Sequence, residues 1–192
     1  MSRSILPAWS MALVFAGSAT LAPASGSVPA STAPAATMSV AECEVWNRER
    51  SFAQSIERGD AAAFAEHVQV DAVFQAGTAE PQRGRGAVVA AWQPMITGEF
   101  PLRWHPGIVS IGGDPDIALS TGPAWVQVAS TGGADGKAAA RYRLGSFVST
   151  WVRDADGAWR VLFDRSAQPM RDATADEVER VRAALPPDCP RA

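Results

Sequence analysis

Residues 142–165 read YRLGSFVSTWVRDADGAWRVLFDR. Two runs rich in Val, Phe and Trp flank Asp154-Ala155-Asp156-Gly157, a turn sequence that folds the second run back on the first. The stretch therefore predicts an antiparallel hairpin, with strands over 139–153 and 158–166. Upstream the hydrophobic pattern predicts further strands over 102–111 and 117–129. They are broken at Gly112-Gly113-Asp114-Pro115, with an interruption expected at Gly122-Pro123 and a turn over 131–136.

Before residue 100 the period changes. Val45, Phe52 and Ile56 share one side of a helix predicted over 42–58, and Gly59 stops it. Asp60 caps a short second helix, 61–67. A strand follows over 70–76, then a polar loop to Gly86. A third helix, 87–96, carries Val88, Trp92 and Ile96 and is ended or kinked by Pro94. Near the C-terminus Thr174 and Glu177 open a helix over 175–185 with Val178, Val181 and Leu185 as its buried stripe. Helices first and antiparallel strands after give an α+β class, with the helices packed on one face of a bent sheet.

The 192 residues are 47% hydrophobic and carry a net charge of -3, which suits one domain plus a leader. Residues 1–24 read as a signal peptide: an arginine, a short apolar run, then Ala22-Pro23-Ala24. Residues 25–38 read as an Ala/Pro/Ser linker, 39–170 as the main domain, and 171–192 as a C-terminal helix and tail. A periplasmic or secreted product follows, with no membrane partner after cleavage. Cys43 and Cys189 read as a disulfide closing nearly the whole domain, with two free thiols as the alternative; the bridge would stabilise by roughly 5 kcal/mol through loop closure. Sixteen of the 17 basic residues are arginine, interspersed with acids, which excludes a nucleic-acid stripe. The two histidines form no metal-ligand pattern, and no cofactor is expected.

Several short motifs carry a resemblance. Glu57-Arg58-Gly59-Asp60, Asp71-Ala72-Val73-Phe74, Gly84-Arg85-Gly86, Trp104-His105-Pro106, Thr121-Gly122-Pro123, the segment from Gly145 to Trp151 and Asp156-Gly157-Ala158-Trp159 through Asp164 occur in this order. Together they resemble the nuclear-transport-factor-2-like superfamily, in the SnoaL-like and domain of unknown function 4440 group. The resemblance implies a cystatin-like roll: a cone-shaped, curved, mixed sheet wrapped around N-terminal helices, with an apolar pocket inside. It also implies a homodimer through the outer sheet face. Fold does not settle function in such a group.

The superfamily's isomerases use an aspartate base, a tyrosine and a protonated acid. Their positions fall here near Ala76, near Phe52 and near Ser149 or Thr150, so ketosteroid-type isomerisation is not expected. The remaining acid–base candidates are His105, between Trp104 and Pro106, and Asp164. Strict strand alternation turns Asp164 away from Trp159, Val161 and Phe163, and so out of the pocket, unless a bulge intervenes. An ion pair with Arg160, Arg165 or Arg143 is its structural alternative. His67 is expected to cap its helix or face solvent. Phe52, Trp92, Trp104, Phe147, Ser149 and Trp151 are the expected pocket residues. The leading expectation is a domain that binds a small apolar or aromatic molecule. An acid–base enzyme using His105 and Asp164, and a dimeric interaction module without a ligand, are the alternatives.

Overall fold

The computed structural model describes residues 37–128 and 140–191. The expected signal peptide, most of the linker and the turn over 131–136 lie outside them. Helix α1 spans Val40–Glu57 and is opened by a full capping box between Ser39 and Glu42. Helix α2, Ala61–His67, is capped by Asp60, whose carboxylate accepts from the Ala63 amide. The predicted third helix is two: α3, Arg85–Ala91, and α4, Gln93–Ile96. The break falls at Trp92, just ahead of Pro94 in the first turn of α4, where its missing N–H costs nothing. Helix α5, Ala175–Ala183, starts at Thr174, and of its expected stripe only Val178 is fully buried.

Seven strands form one sheet: β1 Val68–Phe74, β2 Gln82–Arg83, β3 Leu102–Trp104, β4 Ile108–Ile111, β5 Ile117–Val128, β6 Arg141–Arg153 and β7 Trp159–Thr174. The order is β2-β1-β7-β6-β5-β3, with β4 also on β5. Only β1 and β7 pair in parallel, so the sheet is mixed. The hairpin of β6 and β7 is the one the opening stretch predicts, but β7 runs on to Thr174.

Two local departures from expectation shape the interior. The strand predicted over 102–111 is divided at His105-Pro106-Gly107, and both pieces pair with β5. β5 itself passes through Gly122-Pro123 without interruption. Gly122 permits this close passage: a Cβ there would lie 2.1 Å from the His105 carbonyl oxygen and 2.7 Å from the Gly107 nitrogen. No side chain fits that space.

The core lies between α1 and the face of the sheet that carries Trp104, Ala118, Ala124, Phe147, Trp151 and Val161. Phe52 is its centre, with ring contacts to Phe64, Phe74, Trp92, Trp104 and Trp151 at 4.9–6.5 Å between centroids. His67 joins this core and neither caps nor meets solvent. It is buried, stacks on Phe52, and contacts the Ala63 carbonyl and Ser51 hydroxyl at 2.6 and 3.1 Å. Burial pushes its imidazole down to about 4, which outweighs the pull of the helix C-terminus toward a cation.

Cys43 and Cys189 are joined in a disulfide 146 residues apart in sequence. The tail it anchors also bridges Met38 to Arg191, so both ends of the described domain meet on one side.

Candidate functional site

The apolar stripe of α1 contains one intruder. Val45, Phe52 and Ile56 face the core, and Glu49, four residues after Val45 and three before Phe52, lies on the same side and is fully buried. A buried carboxylate needs donors. Glu49 Oε1 accepts the indole N–H of Trp104 at 2.7 Å, and Oε2 accepts that of Trp151 at 2.7 Å. Charge-assisted bonds of this kind contribute about 1.5–3 kcal/mol each. The hydroxyls of Ser120 and Ser149 stand beside the same group and also favour its charged form. Desolvation nonetheless dominates and raises the Glu49 carboxyl above the usual range.

Asp164 belongs to this assembly because of a bulge. On β7, Val161 pairs with Trp151 and Phe163 with Thr150, leaving Leu162 as the extra residue. Before the bulge Trp159 and Val161 point inward. After it Phe163 is exposed and Asp164 is buried. The exception to strict alternation is therefore realised, and the expected outward Asp164 is corrected to an inward one. No ion pair to Arg143, Arg160 or Arg165 forms; Arg160 binds Asp154 and Asp156 instead. Asp164 Oδ2 accepts from Ser149 Oγ at 2.8 Å, while Oδ1 makes no hydrogen bond among the described residues. Burial first, and the nearby Glu49 charge second, push the Asp164 carboxyl up to about 7; the Ser149 bond opposes them.

Asp164 faces a cavity of about 480 Å³. Its walls include Trp92, Phe100, Leu102, Trp104, Phe147 and Met170, and among the described residues Asp164 is its only carboxyl. Gln75, exposed Arg165 and Ser166 also border it. Gln75 has φ +56, a conformation sparsely used by non-glycine residues, and its amide donates to the Asp164 carbonyl at 2.8 Å. It directly precedes Ala76, the position where the isomerases' base was sought.

Three of the six expected pocket residues, Trp92, Trp104 and Phe147, border the cavity. The other three stand behind it: Phe52 in the aromatic core, Ser149 under Asp164, and Trp151 on Glu49. His105 is elsewhere. Along β3 and just past it Leu102 borders the Asp164 cavity, Arg103 and His105 border a second one, and the Trp104 indole borders both. That second cavity, about 630 Å³, also holds Arg50, Glu57, Trp125, Tyr142 and Arg182. His105 Nδ1 contacts the Pro106 carbonyl at 2.8 Å, and its ring meets Trp46 edge-on. Burial lowers its basicity. His105 and Asp164 do not converge on one space. Among the described residues no group of three or more His, Cys, Asp and Glu is arranged to hold a metal.

Comparison with known proteins agrees with this architecture. Residues 47–169 match the SnoaL-like domain. A nuclear-transport-factor-2-like superfamily protein from Salmonella enterica aligns with a TM-score of 0.52 at 13% identity, over 68% of this chain and 92% of that one. An NTF2-like protein of unknown function from Pseudomonas putida gives 0.51 at 16%, over 73% and 98%. A putative calcium/calmodulin dependent protein kinase II association domain from Xanthomonas campestris gives 0.50 at 17%, over 66% and 86%. At such identities the likeness concerns the fold alone. None of the curated proteins compared with the chain matches it. The span of the matched residues places this chain in the SnoaL-like domain family, and its curled mixed sheet and the helix it wraps share the fold of NTF2-like proteins.

Proposed function

We propose that this chain is an exported domain that binds a small molecule in the Asp164 cavity. The observation that carries the reading is the composition of that cavity: aromatic and aliphatic walls with a single carboxyl facing the space. Sites of a few hundred cubic ångströms, mostly apolar with few fixed polar groups, are the usual form of a small-molecule site. Export is supported by the leader-like residues 1–24 and by the disulfide, which suits an oxidising compartment. No helix among the described residues is long and apolar enough to cross a membrane.

One observation favours acid–base catalysis as a second reading. The Asp164 carboxyl titrates near neutrality, borders the cavity and has an oxygen without a hydrogen bond among the described residues, which suits a general acid or base. In this reading Asp164 acts with Gln75 nearby and without His105. A homodimer is proposed through the outer sheet face, where Ile108, Ile117, Leu119 and Phe163 are exposed. Leu119, Thr150 and Phe163 lie in one row across three strands there.

Native mass spectrometry of the protein purified from the periplasm tests ligand and dimer together. A retained small molecule on a dimer is expected. An empty monomer that also fails to take up apolar probes counts against both.

A further inference from the structure

The charge balance of the interior is one-sided. Glu49 and Asp164 are both more than nine-tenths buried, and neither forms an ion pair among the described residues. Glu49 accepts one indole N–H on each oxygen, two bonds that strengthen when the group is ionised. A buried negative charge without a cation is costly. The groups around Asp164 do not supply one. From β6 it meets the Ser149 hydroxyl, and from α1 the Glu49 charge. On the β1 side it is paired with Phe74, and just past that strand the Gln75 backbone amide donates to its carbonyl, so no cation is supplied there. On β7 itself Arg165 is exposed, its Nε on the Ser166 carbonyl at 3.2 Å.

Asp164, whose Oδ1 makes no hydrogen bond among the described residues, borders a cavity walled by Trp92, Trp104, Phe100 and Phe147. Aromatic faces attract cations most where water is excluded. We propose that the cavity selects a compact organic cation, a primary or secondary ammonium on an apolar or aromatic body, with the ammonium on Asp164 Oδ1 beside the indoles of Trp92 and Trp104. This rests on the reading of the cavity as a small-molecule site and names the ligand's charge. A neutral ligand would leave the interior charge uncompensated, and an anion would add to it.

Three probes with one body separate the charge from the cavity: 2-phenylethylamine, 2-phenylethanol and phenylacetate, each titrated calorimetrically into the protein. The amine is expected to bind at least roughly tenfold tighter than the alcohol, a difference of about 1.4 kcal/mol, with phenylacetate the weakest. Its ammonium, like that of lysine, stays protonated to about pH 9. Asp164 must be ionised to receive it, so the amine affinity should rise between about pH 6 and 8, with proton release below neutrality. Asp164→Asn should bring the amine down to the level of the alcohol while leaving the alcohol's own affinity within about twofold. Thermal melting of that variant verifies that it is folded.

Equal binding of amine and alcohol, or an amine affinity that falls with rising pH, overturns the cation while the cavity reading stands. Failure of all three probes to bind overturns both.

Discussion

Two cavities flank β3, and they hold the chain's two most tempting acid–base residues on opposite sides. The Asp164 cavity has a carboxyl, Trp and Phe walls and no basic group in its interior. The His105 cavity is polar, with Arg50, Arg103 and Arg182 around it. The three-residue strand β3 stands between them, with Trp104 bordering both. The acid–base candidates His105 and Asp164 nonetheless share neither cavity.

The sharpest way to break the division is at Gly122. Gly122→Ala puts a methyl against the backbone where β3 turns into β4, and a loss of about 3 kcal/mol or more is expected in chemical denaturation. A variant as stable as the parent would mean that the crossing is loosely held.

Glu49→Gln acts on the Asp164 side only. It leaves one indole N–H facing an amide group that donates rather than accepts, at a cost of about 2 kcal/mol. It also removes the charge that helps raise Asp164, so the Asp164 midpoint should fall. A fall in stability with no movement of that midpoint would make Glu49 a packing group without electrostatic reach.

Asp164→Asn should change stability in the opposite direction at alkaline pH. The folded carboxyl, raised to about 7, binds its proton more tightly than the unfolded one at about 4. The parent's stability therefore falls as pH rises between those values, and the amide escapes the loss; a gain of about 1–2 kcal/mol at pH 8 is expected. His67, lowered to about 4, has the reverse slope: its contribution is full above its unfolded value of about 6.5 and is lost as pH falls toward 4. The two slopes oppose each other in the parent. In Asp164→Asn one opposing carboxyl slope is gone and that of Glu49 remains, so below about pH 6.5 stability should fall with decreasing pH more steeply than in the parent. Melts of both proteins from pH 4 to 8 read the difference.

The smallest effect belongs to the other cavity. His105→Gln is expected to leave probe affinity in the Asp164 cavity within about twofold, with about 1 kcal/mol or less lost in stability. A tenfold loss of affinity would join the two sites again.

Much of the frame was legible in the sequence. The Asp154–Gly157 turn and its flanking runs gave the hairpin, and the order of short motifs gave the cone that the SnoaL-like match bears out. The disulfide expected between Cys43 and Cys189 is present. The interior was less legible, for two reasons. A bulge depends on register with a neighbouring strand, so Leu162 carries no local mark of the extra residue that turns Asp164 inward. Glu49 did carry a mark, a charge set within the stripe of Val45, Phe52 and Ile56. A charge at that position in an apolar stripe marks a buried carboxylate that needs donors, and the two indoles supply them. His67 ends a short helix, a position that in sequence suggests solvent, but its ring packs on Phe52 in the core.

The central claim is that a carboxyl in an apolar cavity is held near neutrality by burial and by a second carboxyl behind it. Carbon-detected NMR titration of the Asp164 side chain, in the parent and in Glu49→Gln, tests it most directly. The account predicts a parent midpoint near 7 that moves down in the variant. A parent midpoint at the ordinary aspartate value of about 4 would contradict it.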